Sequence, residues 1–133
     1  MRIYIAHSRE IDYVNNLYKP LKNDPFFNEY DLILPHETDK PNNTRDFYGS
    51  IDVFIAECSE VSTGLGIELG FAYDDNVQIY CIYQYDKKIS SSIKAVTNNF
   101  YEYHNIDEMI SIIKEIIINY KKKYKNNGLK ISK

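Results

Sequence analysis

The chain runs from Asp52-Val53-Phe54-Ile55-Ala56 into Ser62-Thr63-Gly64-Leu65-Gly66-Ile67-Glu68-Leu69-Gly70. The first stretch is a nearly continuous apolar run, which is typical of a strand that is covered on both faces. The second stretch predicts a loop and the first turns of a helix. Each glycine inside a helix costs about 1 kcal/mol relative to alanine. The pattern therefore predicts a β-α unit in which three glycines make the helix less stable, and this cost suggests that the segment has a functional role.

Glu68 has an unusual place on the predicted helix. A helical projection puts it between Phe71 and Ala72, on the arc that should face the core. A carboxylate there loses hydration unless something uses it. A capping box does not account for Glu68, because Leu65 stands where that motif would place a Glu after Ser62. We therefore predict that Glu68 is catalytic or binds a ligand.

Strand-like and helix-like segments alternate along the chain, which predicts parallel β-α-β units. The predicted strands cover residues 2–6, 30–34, 51–56, 77–83 and 99–103. The predicted helices cover residues 8–23, 63–74, 90–96 and 106–125. The sequence thus predicts one α/β domain over residues 1–133, a three-layer sandwich of the flavodoxin-like or Rossmann-like kind with about five parallel strands.

The composition excludes several classes of protein. A length of 133 residues with 44% hydrophobic and 26% charged residues suits one soluble domain. A formal net charge of −3 gives no electrostatic reason to bind nucleic acid or an anionic membrane. The first residues follow a strand pattern without the apolar h-region that a signal peptide would show, and no apolar run approaches the length that a membrane span needs. With Cys58 and Cys81 interpreted as free thiols, we expect a cytoplasmic protein without a metal or an organic cofactor.

Polar side chains follow the predicted strands at their carboxyl ends, where ligands bind to parallel sheets. His7, Ser8 and Arg9 follow the first strand, His36 follows the second, and Glu57 follows the third. We expect a site at this edge. His36 is either a loop histidine or a contact to the ligand, and Glu57 is either functional or a partner of loop amides.

Three common phosphate-related signatures do not fit. Gly64-Leu65-Gly66 follows the third predicted strand instead of the first, and its next glycine comes too late for a dinucleotide fingerprint. The chain has no Gly-Lys-Ser/Thr of a Walker loop. The acidic pair of a response regulator is also missing after the first strand.

Residues 52–70 resemble, without a gap, the signature of the nucleoside 2-deoxyribosyltransferase superfamily. They look most like the branch that hydrolyses 2′-deoxynucleoside 5′-monophosphates. In that family a strand Asp-Val-x-x-Ala-Glu leads to Gly-x-Gly-x-Glu-Leu-Gly, and the Glu is the nucleophile. The resemblance implies that Glu68 is the nucleophile and that Gly64 and Gly66 let the backbone approach a nucleotide.

Two further segments carry the resemblance. Residues 4–8 are similar to Tyr-x-x-Gly-Ser, which implies that Tyr4 contacts the nucleophile and that Ser8 binds phosphate. Residues 89–94 resemble Leu-Ser-x-x-Ile-Arg, whose Ser reaches the phosphate across a dimer interface. The resemblance therefore implies a homodimer in which Ser90 completes the partner's site.

The position six residues before the nucleophile separates the two branches of the family. The transferases carry an Asp there, which holds the free 5′-hydroxyl, and the monophosphate hydrolases carry a Ser; in this chain it is Ser62. An Asp would repel a phosphate, whereas a Ser hydroxyl beside backbone N–H groups at a helix N-terminus accepts an anion. We expect Ser62 to form a phosphate cradle with Ser8, Arg9 and Ser90.

The family's second catalytic carboxylate aligns with Thr44, and Asp46 is the acid closest to that position. Asp46 is therefore the candidate acid. The resemblance implies hydrolysis of the N-glycosidic bond of nucleoside 5′-monophosphates. We expect the helix N-terminal dipole to keep Glu68 ionised despite partial burial. Base exchange by a deoxyribosyltransferase and a non-catalytic nucleotide sensor are the alternatives.

Overall fold

A computed structural model describes residues 1–37 and 45–126, apart from the side chains of residues 45, 46, 125 and 126. Its centre is a parallel sheet in the order β2-β1-β3-β4-β5. The strands are β1 (Arg2–His7), β2 (Asp31–Ile33), β3 (Val53–Glu57), β4 (Gln78–Gln84) and β5 (Phe100–Tyr103). The expected α/β fold with five parallel strands is confirmed, and the strand order is the flavodoxin-like one.

Helices connect the strands. A π-helical turn (Val14–Tyr18) leads into α1 (Lys19–Lys22), and the longer helices are α2 (Thr63–Asp74) and α3 (Ile106–Asn126). Three 3₁₀ helices cover Pro25–Glu29, Arg45–Ser50 and Ser91–Ala95. The helix predicted over residues 63–74 is confirmed. Within the described ranges, no helix has the length and apolarity needed to cross a membrane.

The first predicted helix is wrong over its initial part, because helical structure begins at Val14 and not at Ser8. Ser8 is fully buried, and its hydroxyl oxygen accepts a hydrogen bond from the Glu10 N–H at 3.1 Å. Such a local bond from a side chain to the backbone competes with helix formation. The segment after β1 is therefore a loop that holds Ser8 at the strand end.

Residues on the strands alternate between two cores, one on each face of the sheet. One core contains Ile3, Ile5, Val53 and Ile55 with α1 and α3 residues such as Leu21, Met109, Ile113 and Ile117. The other contains Tyr4, Ala6, Phe54 and Ala56 with Leu65, Leu69 and Ala72 of α2. The helices on both faces make the three layers of the predicted sandwich.

The register fixes where a site can form. Ala6 pairs with Ala56 and His7 pairs with Glu57, so the carboxyl ends of β1 and β3 lie side by side. The chain leaves β1 for β2 on one side and returns to β3 on the other. Such a reversal of strand order opens a crevice at the carboxyl ends of the strands, and α2 begins just beyond it.

Candidate functional site

Glu68 lies in the second turn of α2, where two buried tyrosines bond its carboxylate. The hydroxyl of Tyr4, in the middle of β1, donates a hydrogen bond to Oε2. The hydroxyl of Tyr48, on the 3₁₀ helix Arg45–Ser50, reaches the same oxygen at 3.4 Å. The structure therefore brings together Glu68 and the tyrosine that the sequence paired with it. It also adds Tyr48, which the sequence analysis missed.

The pKa of Glu68 is raised by burial, and the hydrogen bonds from Tyr4 and Tyr48 oppose part of that rise. The sequence analysis expected the helix dipole to keep this carboxylate ionised. The dipole acts mainly within the first turn of a helix, and Glu68 lies beyond it. Hydrogen bonds from the two phenol groups thus favour the ionised form of Glu68.

Burial raises the pKa of both phenols, and for Tyr48 it does so to about 12. The adjacent Glu68 carboxylate adds to the rise in each case. Both hydroxyls therefore keep their protons at neutral pH and remain hydrogen-bond donors to Glu68.

A cavity of about 380 Å³ opens next to Glu68. This volume lies within the range of ordinary small-molecule sites. Most of the residues predicted to bind the ligand lie in its wall, which consists of His7, Ser8, Arg9, Glu10, His36, Ser62, Gly64, Leu65 and Glu68. Residues from the ends of β1 and β2 thus meet the start of α2 around one space.

Ser8 and Ser62 have the same hydrogen-bonding state. The oxygen of Ser8 accepts from the Glu10 N–H at 3.1 Å, and the oxygen of Ser62 accepts from the Leu65 N–H at 3.2 Å as the N-cap of α2. Each hydroxyl still has its own proton to donate. Two hydroxyls that already accept from the backbone are suited to a ligand oxygen, and above all to an anion.

Arg9 supplies a positive charge in the cavity wall, and it also fixes the state of His36. An Arg9 Nη2 hydrogen points to Nδ1 of His36 at 3.3 Å. Because a guanidinium can only donate, Nδ1 accepts and the ring proton lies on Nε2. Burial and, to a lesser extent, Arg9 lower the pKa of His36. A neutral His36 beside a charged Arg9 favours an anionic ligand near the arginine.

His7 is buried in a fixed hydrogen-bond chain. Its Nδ1 lies 3.0 Å from the Ser8 carbonyl, so Nδ1 carries the proton, and its Nε2 accepts from the Tyr18 hydroxyl at 2.6 Å. The Tyr18 oxygen in turn accepts from the His36 N–H at 3.0 Å. Burial lowers the pKa of His7 to about 4. His7 is therefore a neutral group that joins the loops after β1 and β2.

Tyr4 contacts Glu68 but is not in the described wall of this cavity, and three further predicted site residues are not in that wall either. Gly66 lies on α2, and a side chain placed there would meet open space within 4 Å. Ser90 precedes the 3₁₀ helix Ser91–Ala95, and its role in a partner subunit stays a prediction. Asp46 belongs to the 3₁₀ helix Arg45–Ser50, but its side chain lies outside the described residues, as does Thr44.

Glu57 has a structural explanation. It is 1% exposed, and its two oxygens accept hydrogen bonds from the Ser59 N–H at 2.6 Å, the Ser59 hydroxyl at 2.9 Å and the Tyr103 hydroxyl. The Ser59 oxygen also accepts from the Gln84 N–H at 2.8 Å. The adjacent cavity has a volume of only about 160 Å³. Glu57 thus ties the loop after β3 to β4 and β5.

Asp52 is likewise structural, since its Oδ2 accepts a hydrogen bond from the Arg2 N–H at 2.8 Å at the opposite edge of the sheet. Cys58 and Cys81 are buried free thiols. Over the residues with described side chains, no group of three His, Cys, Asp or Glu residues is arranged to hold a metal ion.

No protein-family model and no curated protein matches this chain. Among solved structures, the chain is similar to the CMP N-glycosidase BcmB of Clostridium botulinum, with a TM-score of 0.57 and 21% sequence identity. The match covers 85% of this chain and 98% of that protein. At this identity the likeness is one of fold. The fold that this chain shares with BcmB is a Rossmann-like α/β fold with a five-stranded parallel sheet.

Proposed function

We propose that this protein hydrolyses the N-glycosidic bond of nucleoside 5′-monophosphates, including 2′-deoxynucleotides, and that Glu68 is the nucleophile. The observation that carries the proposal is the shared cavity of Glu68, Ser8, Arg9 and Ser62. A half-buried carboxylate lies there together with a positive charge and two hydroxyl donors. That combination suits a substrate with an electrophilic sugar carbon and a phosphate.

The fold adds support, because a neighbour of known structure is a CMP N-glycosidase. The cavity wall contains Ser8, Arg9 and Ser62, which favour a nucleoside monophosphate over an uncharged nucleoside. Ser62 is the N-cap of α2, and helix N-termini bind phosphate through backbone N–H groups and the helix dipole. Arg9 adds a full positive charge to the wall of the same cavity.

The reaction would proceed in two displacements. In the first, a carboxylate oxygen of Glu68 bonds to the anomeric carbon while the carbon–nitrogen bond breaks, and its electron pair leaves with the base. The base takes a proton from an acid, for which Asp46 stays the candidate. In the second, water attacks the same carbon, the ester bond to Glu68 breaks, and the water proton passes to the acid's conjugate base. The products are the free base and the sugar 5-phosphate.

Incubation with each ribo- and deoxyribonucleoside 5′-monophosphate, with and without an acceptor base, tests this proposal. Release of free base without an acceptor identifies a hydrolase. Exchange that requires the acceptor identifies a deoxyribosyltransferase, and binding without turnover identifies a sensor. Either of the last two results would contradict the proposed hydrolysis.

Glu68→Gln should abolish turnover while the protein stays folded, because the amide keeps the shape but cannot form the ester. Glu102→Gln is the matched control, since Glu102 is exposed on β5. We expect Glu102→Gln to retain wild-type activity. Base release by Glu68→Gln at the wild-type rate would show that Glu68 is not the nucleophile.

A further inference from the structure

Tyr48 comes from a part of the chain that none of the predicted motifs covers, yet it contacts the candidate nucleophile. Its side chain is 2% exposed. Its ring lies 5.8 Å from that of Tyr4 and 5.4 Å from that of Phe71, measured between ring centroids. These contacts hold the Tyr48 hydroxyl between β1 and α2, where it reaches Glu68.

Both phenols bond the same carboxylate oxygen. Tyr4 and Tyr48 donate to Oε2 of Glu68. Within residues 1–37 and 45–126, Glu68 accepts its side-chain hydrogen bonds through Oε2, and no described group donates to Oε1. Glu68 also forms part of the cavity wall. The two oxygens of this carboxylate therefore differ, since Oε2 accepts both hydrogen bonds and Oε1 accepts none from the described residues.

We infer that Tyr48 is a second positioning residue, which together with Tyr4 holds Oε2 of Glu68 so that Oε1 is the oxygen that attacks the sugar. This inference rests on the proposed function. In the first displacement Oε1 forms the ester bond, and Oε2 becomes the ester carbonyl oxygen, which still accepts from both phenols. In the second displacement the bond between Oε1 and the sugar breaks, and the same two donors stabilise the carboxylate that forms again.

The two donors also set the charge state of the nucleophile. Hydrogen bonds from Tyr4 and Tyr48 act against the rise that burial causes in the pKa of Glu68. Loss of the Tyr48 hydroxyl should therefore raise that pKa further. Arg9 and Glu10 line the same cavity as Glu68, but the two phenols are the groups that hydrogen-bond its carboxylate in the described part of the chain. A residue that merely filled space would leave the titration of Glu68 unchanged.

The first test does not depend on turnover. The protein is labelled with ¹³C at the glutamate carboxyl carbons, and the Glu68 signal is identified by its absence in Glu68→Gln. We expect the Glu68 titration to lie at higher pH in Tyr48→Phe than in the wild type. Tyr73→Phe is the matched control, because Tyr73 is on the same helix but 56% exposed, and it should titrate like the wild type.

The second test uses the substrate that the wild type turns over fastest. Tyr48→Phe should lower kcat on the order of tenfold with little change in KM. It should also move the acid limb of the kcat/KM profile to higher pH, whereas Tyr73→Phe should change neither. If the wild type shows no turnover, the proposed function fails, and the carboxyl titration still decides the contact between Tyr48 and Glu68.

Folding of each variant is checked by circular dichroism. If Tyr48→Phe does not fold, the same substitution is made together with Gly70→Ala, which replaces an exposed glycine of α2. A folded Tyr48→Phe protein with an unchanged Glu68 titration and unchanged kcat would overturn the inference.

Discussion

Nε2 of His7 accepts a hydrogen bond from the hydroxyl of Tyr18 at 2.6 Å. This contact joins the last residue of β1 to the helical segment before α1. The same hydroxyl accepts from the backbone of His36 at 3.0 Å, so one phenol holds two loops of the candidate site. A protonated His7 could not accept at Nε2, so a hydrogen bond in this direction requires the neutral ring.

This requirement predicts that the protein loses stability in mild acid. The folded-state pKa of His7 is about 4, below the ordinary value of 6.5. The unfolded chain therefore binds the proton first as the pH falls. The contribution of His7 is fully present above pH 6.5 and is lost between 6.5 and about 4, at no more than about 1.4 kcal/mol per pH unit.

Denaturant unfolding across this pH window measures the effect. His7→Gln keeps an acceptor for Tyr18 but does not titrate, so its free energy of unfolding should fall less steeply with acid than that of the wild type. His104→Gln is the control, because His104 is exposed and its pKa is raised instead. Equal slopes in His7→Gln and the wild type would contradict the prediction.

Glu68 should make the folded protein less stable at neutral pH. Its pKa is raised in the folded state, so its favourable contribution is present below the ordinary glutamate pKa and is lost as the pH rises through the folded value. Glu68→Gln removes this cost. We expect a Tm higher than that of the wild type at pH 8, with a difference that shrinks toward pH 4. A lower Tm for Glu68→Gln at pH 8 would argue against a strained carboxylate.

Ser62→Asp tests the proposed phosphate-binding role of Ser62 while it keeps the N-cap of α2. Aspartate caps helices as well as serine does, so the free energy of unfolding should stay within about 0.5 kcal/mol of the wild type. The new carboxylate would repel a substrate phosphate, and KM for a monophosphate should rise on the order of tenfold or more.

Ser62→Ala gives the opposite pattern. It loses the cap of α2, which costs about 1 kcal/mol, but it adds no charge. KM should rise less than in Ser62→Asp. If Ser62→Asp binds monophosphates as the wild type does, the phosphate does not lie next to this residue.

Gly64→Ala and Gly70→Ala form a matched pair on α2. A methyl group at either position meets no protein atom within 4 Å, so each change should stabilise the protein by up to about 1 kcal/mol. Gly64 lines the cavity, whereas Gly70 is exposed away from it. KM should therefore rise in Gly64→Ala alone. An equal effect of both variants on KM would show that the ligand does not approach Gly64.

The sequence predicted the strands and α2 well because their evidence is local. Apolar runs of strand length mark the buried strands, and the boundaries of α2 follow from its N-cap Ser62 and its residue pattern. Glu68 was found in the same way, as a carboxylate on a buried arc. The segment after β1 was predicted wrongly, since the bond from the Glu10 N–H to Ser8 depends on how Ser8 is buried.

Tyr48 could not be identified as a site residue from the sequence. It is one of 13 tyrosines, and no spacing distinguishes it from the others. Its contact with Glu68 joins residues that are 20 positions apart, and it exists only because a 3₁₀ helix packs against α2. The hydrogen-bond chain through Tyr18 arises in the same way, from packing between loops that the sequence does not connect.

The Tyr4–Glu68 contact spans 64 positions of the chain, and this separation has a kinetic consequence. Contacts between distant residues form slowly, because a long loop must close before they contribute any stability. During synthesis β1 emerges first, and its apolar residues wait for β3 before they are covered on that side. A chain that has formed α2 but has not docked β1 leaves Glu68 without its first tyrosine. Formation of the Tyr4–Glu68 contact during refolding would therefore report the docking of β1 beside α2.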